Sequence, residues 1–253
     1  MCSWVPLLYA HDEPVQVSEP QRLYDEALMA KEDGELPRAR KDLEVILHQY
    51  PDYHQIGEVR QEWAEIMWHL IHVNMSAPEA LEYTVKSADT LGKIAKAHAT
   101  TVELIRQRNH LSSDTIRPGQ KLSLWTAPIT LVVNKSHNRL NVQLNNQVIK
   151  VYPVSTGKSD SITPVGDFVI RDRYPHPTWF HKGVVVPAGS PENFLGTRWL
   201  GFNIPKYGIH GTIYPELIGQ SVSGGCVRMR NEDVEELYDI IPVGTKVRIE
   251  EDQ

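Results

Sequence analysis

Cysteine is nearly absent: Cys2 and Cys226 are the only two among 253 residues. Two thiols exclude a disulfide framework and a cysteine-built zinc site. A bridge between them would tie a chain end to a glycine-rich loop and is not expected. Long apolar runs are missing too, so no transmembrane segment is expected. Positive charge is in short supply: the net charge is −6, with no basic stripe to neutralise phosphates and no polybasic cluster for an anionic membrane surface. Nucleic acid is therefore excluded as a partner, and a neutral or cationic polymer or a small peptide fits better. His48, His54, His69 and His72 lack ligand-like spacing with a carboxylate, so neither a metal nor another cofactor is expected. The first ten residues lack a positive n-region, and Pro6 breaks their apolar stretch, so they do not read as a signal peptide. Two expectations stay open: a cytoplasmic protein, or an exported one whose signal lay ahead of the numbered chain, with Cys2 as a lipid-bearing residue.

What is present falls into segments by hydrophobic period. Residues 1–20 read as a flexible leader. From Gln21 to Pro78 the period is helical. Leu23, Ala27 and Ala30 lead to a Gly34 stop; Pro37 then tolerates a first helical turn, and Ala39, Leu43, Ile46 and Leu47 form the next stripe before Pro51. Val59, Trp63, Ile66, Met67, Leu70 and Ile71 make a third. Residues 79–126 read strand (Glu82–Lys86), helix (Thr90–His98), helix (Thr101–Asn109) and strand (Lys121–Trp125), with Asp89 and Thr90 at the first cap. From Pro128 to Glu250 the period drops to two: Leu131 and Val133, then Leu140, Val142 and Leu144, then a tight Asn145-Asn146 turn into Val148–Val154. One late helix is expected at Asn231–Ile240, closed by a strand at Val243–Ile249. The fold class is thus multidomain α+β: a helical hairpin, a small βααβ unit and a carboxy-terminal β-rich domain.

The chemistry lies between Tyr207 and Arg230. A free thiol is only a few per cent ionised at neutral pH, so a nucleophilic cysteine needs a base, and a nearby imidazole can supply one. Cys226 and His210 are that pair, with the imidazolium stabilising the thiolate. Gly224 and Gly225 let the chain turn sharply and aim N–H groups at a developing oxyanion. Arg228, two residues on, falls on the same side of an extended chain and can hold a substrate carboxylate in a forked geometry. Tyr207 and Thr212 join it as substrate-binding candidates. The aromatic, proline-rich stretch from Tyr174 to His181 reads either as a lid or wall over the site or as a plain loop with a few packed rings.

Three resemblances sharpen this reading. Ala27, Ala39, Leu43, Ile46 and Pro51 resemble the pattern of one tetratricopeptide repeat, whose exposed face implies either a protein partner or a packed spacer capped by the third helix. Residues 83–95 with Ile116–Leu122 resemble a LysM module, which implies binding to glycan strands such as peptidoglycan. Ala88 stands where that family usually has Gly, and Gly92 where a bulky residue packs. His210-Gly211-Thr212 with Ser223-Gly224-Gly225-Cys226-Val227-Arg228 resembles the YkuD-type L,D-transpeptidases. That resemblance implies a Cys226 acyl-enzyme on peptidoglycan stem peptides in the bacterial envelope or periplasm, with release of D-alanine and transfer to an amine. It also implies that a backbone carbonyl, at Gly211, orients the histidine, and that Ser223, Gly224 and Gly225 shape the oxyanion site. Gly224 departs from the histidine common there. Resolution of the thioester by water (an L,D-carboxypeptidase) and a non-catalytic wall-binding scaffold are the competing expectations.

Overall fold

The computed structural model describes residues 17–158, 162–181 and 183–252, so Cys2 and most of the leader lie outside it. The chain divides near residue 60 into two compact units.

The first unit is a helical hairpin. Helix α1 (Glu19–Glu32) buries Leu23, Tyr24, Ala27 and Ala30, and α2 (Leu36–Gln49) buries Leu36, Ala39, Leu43 and Ile46. Gly34 sits at φ +76°, its N–H on Lys31 O and that of Glu35 on Ala30 O, which closes α1 with the left-handed turn that glycine adopts without strain. Tyr53 meets the ring of Tyr24 edge-on at 6.4 Å, and its hydroxyl lies 2.8 Å from Gln21 Oε1. Helix α3 (Ile56–His72) begins here and continues into the second unit.

In the second unit Trp63, Ile66, Met67, Leu70 and Ile71 form the buried stripe of α3. The βααβ segment follows: strand β1 (Ala80–Thr84), helices α4 (Leu91–Ala97) and α5 (Val102–Arg108), and strand β2 (Lys121–Trp125), with β1 and β2 antiparallel. Val85, Leu91, Ile94, Ala95, Ile105, Leu122 and Leu124 make its core. Thr90 caps α4 through Lys93 N–H, and Thr101 caps α5 through Leu104 N–H. Asp89 does not cap; its carboxylate accepts from Lys86 N–H at 2.7 Å and from the Tyr83 hydroxyl at 2.8 Å. Ala88 is at φ +66°, which accounts for the glycine usual at that position. A β-carbon on Gly92 would meet nothing within 4 Å, so the core closes without a side chain there.

The β-rich domain is built on an eight-stranded sheet. The strands of the domain are β3 (Ile129–Asn134), β4 (Arg139–Leu144), β5 (Gln147–Pro153), β6 (Thr156–Gly157), β7 (Gly166–Pro175), β8 (Trp179–His181), β9 (Val184–Val186), β10 (Arg198–Phe202), β11 (Gly208–His210), β12 (Ser221–Ser223), β13 (Val227–Arg228) and β14 (Lys246–Glu250). The large sheet runs β13-β11-β10-β7-β14-β3-β4-β5; β6 pairs β12, and β8 pairs β9. Asn145 and Asn146 turn β4 into β5 at φ +50° and +64°, as a two-residue hairpin requires. Helix α6 (Asn231–Ile240) buries Val234, Leu237, Tyr238 and Ile240.

Side-chain contacts tie α3 and the βααβ segment to this domain. The Thr101 hydroxyl donates to Asp239 O. Arg173 donates to Tyr238 O at 2.6 Å, lies 3.9 Å from the Tyr238 ring centroid, and pairs with Glu103 at 3.4 Å. On α3, Trp68 Nε1 donates to Glu236 at 3.2 Å, and Glu236 also accepts from the Tyr152 hydroxyl at 2.7 Å. Among the described residues no helix is long and apolar enough to cross a membrane, and no group of His, Cys, Asp and Glu could hold a metal ion.

Candidate active site

The site forms where β11 and β13 run parallel, with Ile209 opposite Val227 and His210 opposite Arg228. Side chains in register on parallel strands share a face. Cys226 enters β13 two residues before Arg228, beside Gly208. Met229 N–H donates to His210 O at 2.9 Å, and Arg228 exchanges both backbone bonds with Ser155 at 2.8 and 2.9 Å. The fifteen residues between His210 and Cys226 contain a short 3-10 turn (Pro215–Leu217) and β12, so the chain does loop back.

His210 is buried, its Nδ1 2.6 Å from Gly211 O. A carbonyl only accepts, so Nδ1 carries the proton and Nε2 keeps its lone pair for a thiol. The Trp199 ring lies against the imidazole at 5.9 Å and 22°, and its own Nε1 is held by Asp172 Oδ1 at 2.9 Å. Burial pushes the imidazole pKa down to about 4; the Gly211 bond opposes that and Arg228 adds to it. Burial also raises the Cys226 thiol, while the Gly208 amide and Arg228 pull it back. Both shifts favour the neutral thiol and the neutral imidazole over the thiolate–imidazolium pair. Desolvation disfavours both charges.

The loop before the cysteine is tightly bonded. Ser223 Oγ, fully buried, donates to Cys226 O at 2.6 Å and accepts from Gly225 N–H at 3.1 Å. Gly225 stands at φ +108°, and a β-carbon there would lie 2.8 Å from Tyr207 Cε1. The thiol donates to Lys206 O at 3.3 Å.

Residues 128–249 match the L,D-transpeptidase catalytic domain family YkuD, and residues 83–125 match the LysM domain. A Bacillus subtilis protein named L,D-transpeptidase YkuD is 37% identical over 175 residues, covering 67% of this chain and 98% of that one. This chain belongs to the L,D-transpeptidase family. A second Bacillus subtilis relative, named L,D-transpeptidase YqjB, is 45% identical over 127 residues, 48% of this chain and 71% of its own. A solved L,D-transpeptidase from Mycobacterium smegmatis has a TM-score of 0.43 at 21% identity, covering 52% of this chain; this chain spans 63% of that structure's length.

Set within an L,D-transpeptidase domain, the expected site residues separate into two groups. Cys226, His210, Gly211 and Arg228 gather on the β11–β13 face, and Tyr207 packs over Gly225. The Arg228 side chain is half-buried, its Nε has no hydrogen-bond partner and no carboxylate pairs with it among the described residues, which leaves a cation available. Ser223 and Gly225, expected at the oxyanion site, instead spend their hydroxyl and N–H on each other and on Cys226 O. Thr212, expected to touch substrate, is buried, and its hydroxyl oxygen accepts from Tyr214 N–H at 3.0 Å. The 174–181 stretch is not a plain loop: β7 runs on to Pro175, and β8 and β9 form a hairpin. Trp179, Phe194 and Tyr214 line a cleft of about 490 Å³ beside that hairpin. Sequence reasoning missed Trp199 and Asn231. Nothing local marks a strand tryptophan as a histidine's neighbour, and an asparagine at a helix start reads first as a cap.

Proposed function

We propose that this chain is a peptidoglycan L,D-transpeptidase working through a Cys226 acyl-enzyme. The observation that carries the reading is His210: buried, bonded through Nδ1 to Gly211 O, and in register with Arg228 on the strand that Cys226 leads into, inside a domain that matches the family. In the first half-reaction Cys226 Sγ attacks the carbonyl joining the third stem residue to a terminal D-alanine, and its proton passes to His210 Nε2. The C–N bond breaks as His210 returns the proton to the departing amine. In the second, an acceptor amine attacks the thioester, gives a proton to His210, and the C–S bond breaks. The proton then returns to the thiolate. With Gly225 N–H already used, the amides of Gly224 and Cys226 are proposed as the oxyanion donors. Arg228 holds the substrate carboxylate as a forked cation.

The LysM segment supports a grip on the glycan strands of the wall and so a place in the cell envelope. The α1–α2 hairpin, with its tetratricopeptide-like pattern, is proposed as a docking face for a protein partner. Cys226→Ala is expected to abolish D-alanine release from tetrapeptide muropeptides, followed by mass spectrometry; undiminished release would remove Cys226 from the chemistry. The wild-type products separate the remaining readings. Cross-linked dimers support transpeptidation, tripeptide alone supports hydrolysis, and no reaction at all supports a scaffold.

A further inference from the structure

The geometry points to Asn231 as a positioning residue for His210, acting through a single peptide plane. This inference rests on the reading of His210 as the base. Asn231 is the first residue of α6, directly after the N-cap residue Arg230, whose side chain makes no cap bond. Asn231 Oδ1 reaches across the sheet end and accepts from two backbone donors, Thr212 N–H at 3.2 Å and Thr197 N–H at 3.2 Å. Thr212 N–H and Gly211 C=O belong to the same peptide unit, which is planar and trans, so fixing the N–H fixes the opposite-pointing carbonyl. That carbonyl is the one bonded to His210 Nδ1 at 2.6 Å. The connected series is Asn231 Oδ1, Thr212 N–H, Gly211 C=O, His210 Nδ1–H.

Two further features fit this role. A β-carbon on Gly211 or on Gly196 would strike Asn231 Oδ1, so two glycines leave the space that the carboxamide fills. Among the described residues no carboxylate pairs with His210, which leaves the peptide carbonyl as the group holding its tautomer. A carbonyl whose own N–H donates to a second acceptor is polarised and accepts more strongly. Asn231 thus fixes the direction of the Gly211 carbonyl and strengthens it, keeping Nε2 unprotonated and turned to the thiol.

The test uses the full chain, with the His210 signals assigned by comparison with His210→Gln. Long-range proton–nitrogen NMR reads which imidazole nitrogen carries the proton, whether or not the protein is active. Asn231→Ala is expected to shift His210 away from the pure Nδ1–H form and to lower kcat by about 100-fold with KM within about twofold, the signature of an impaired base. Asn231→Asp keeps an acceptor for both N–H groups and is expected to retain the wild-type tautomer. Asn231→Ser is measured alongside, since its oxygen is too short to serve both donors and its small side chain guards against a misfolded alanine variant. An unchanged tautomer and kcat in the alanine and serine variants would overturn the inference, as would an aspartate variant that behaves like them. Loss of the parent reading shows differently: D-alanine release that survives Cys226→Ala removes the Cys226–His210 mechanism but leaves the tautomer result to stand or fall separately.

Discussion

His210 ionises only at a cost, because the proton it would gain meets a buried site and the Arg228 guanidinium. The sign of the resulting pH dependence follows from linkage. The folded-state pKa of about 4 lies below the ordinary value of 6.5, so between those limits the unfolded chain binds the proton and the folded chain does not. Stability from this group is complete above about pH 6.5 and falls as the pH drops towards 4, by about 3 kcal/mol at roughly 1.4 kcal/mol per pKa unit. Urea unfolding at pH 7.5 and pH 4.5 should show the loss in wild type and a smaller one in His210→Gln; equal losses would mean that His210 titrates normally. The nucleophile, base and arginine were legible in the sequence because their signal is local: scarce cysteine, paired glycines, an arginine two residues on. Asn231 and Trp199 were not. Their roles come from strands and turns that meet only after folding, Asn231 by way of Thr197, thirty-four residues away along the chain.

Among the secondary-structure elements, α3 is held at its carboxy-terminal end by one distant side chain. Arg108, at the end of α5, is fully buried, and its Nη1 donates to Leu70 O and Ile71 O at 2.5 and 2.6 Å. Those carbonyls lie in the last turn of α3, where the helix leaves acceptors unpaired and favours a cation. Nη2 donates to Ser123 Oγ at 2.9 Å, and the guanidinium lies 5.6 Å from the Trp125 ring centroid. Arg108→Met fills similar volume but leaves the carbonyls without donors. It is expected to cost about 2–4 kcal/mol, since an orphaned buried acceptor loses its full desolvation energy. Thermal unfolding should show Tm lower by about 5–10 °C, the usual scale for a unit of this size; an unchanged Tm would show the contact to be incidental. Helix α6 and the β4–β5 turn were legible to the residue, the first from its flanking residues and the second from asparagines that tolerate positive φ. Strand β1 begins two residues earlier than its own composition suggests, because its extent is set by the ladder with β2. Nor could composition show that Arg108, in a segment that reads as amphipathic helix, turns inward.

Over the molecule from Gln61 onward, the LysM segment is clamped in place. Thr101, Glu103 and Arg108 bind it to the end of α6, to Arg173 and to α3. Differential scanning calorimetry of residues 61–252 should therefore give one cooperative transition, with Trp125 fluorescence changing at the same temperature. Two resolved transitions would mean that the segments melt independently. The segment order along the chain was readable from period and composition; the docking was not, because it rests on a handful of polar contacts between segments far apart in sequence.

Helix α6 receives the LysM segment at its carboxy-terminal end and presents Asn231 at the other. A module held that way has no slack. If it grips a glycan strand as proposed, Cys226 would sit at one set offset from the gripped sugars, like the blade of a gauge and not a hook on a line. Each grip would then bring one position along the strand to the blade and pass over its neighbours.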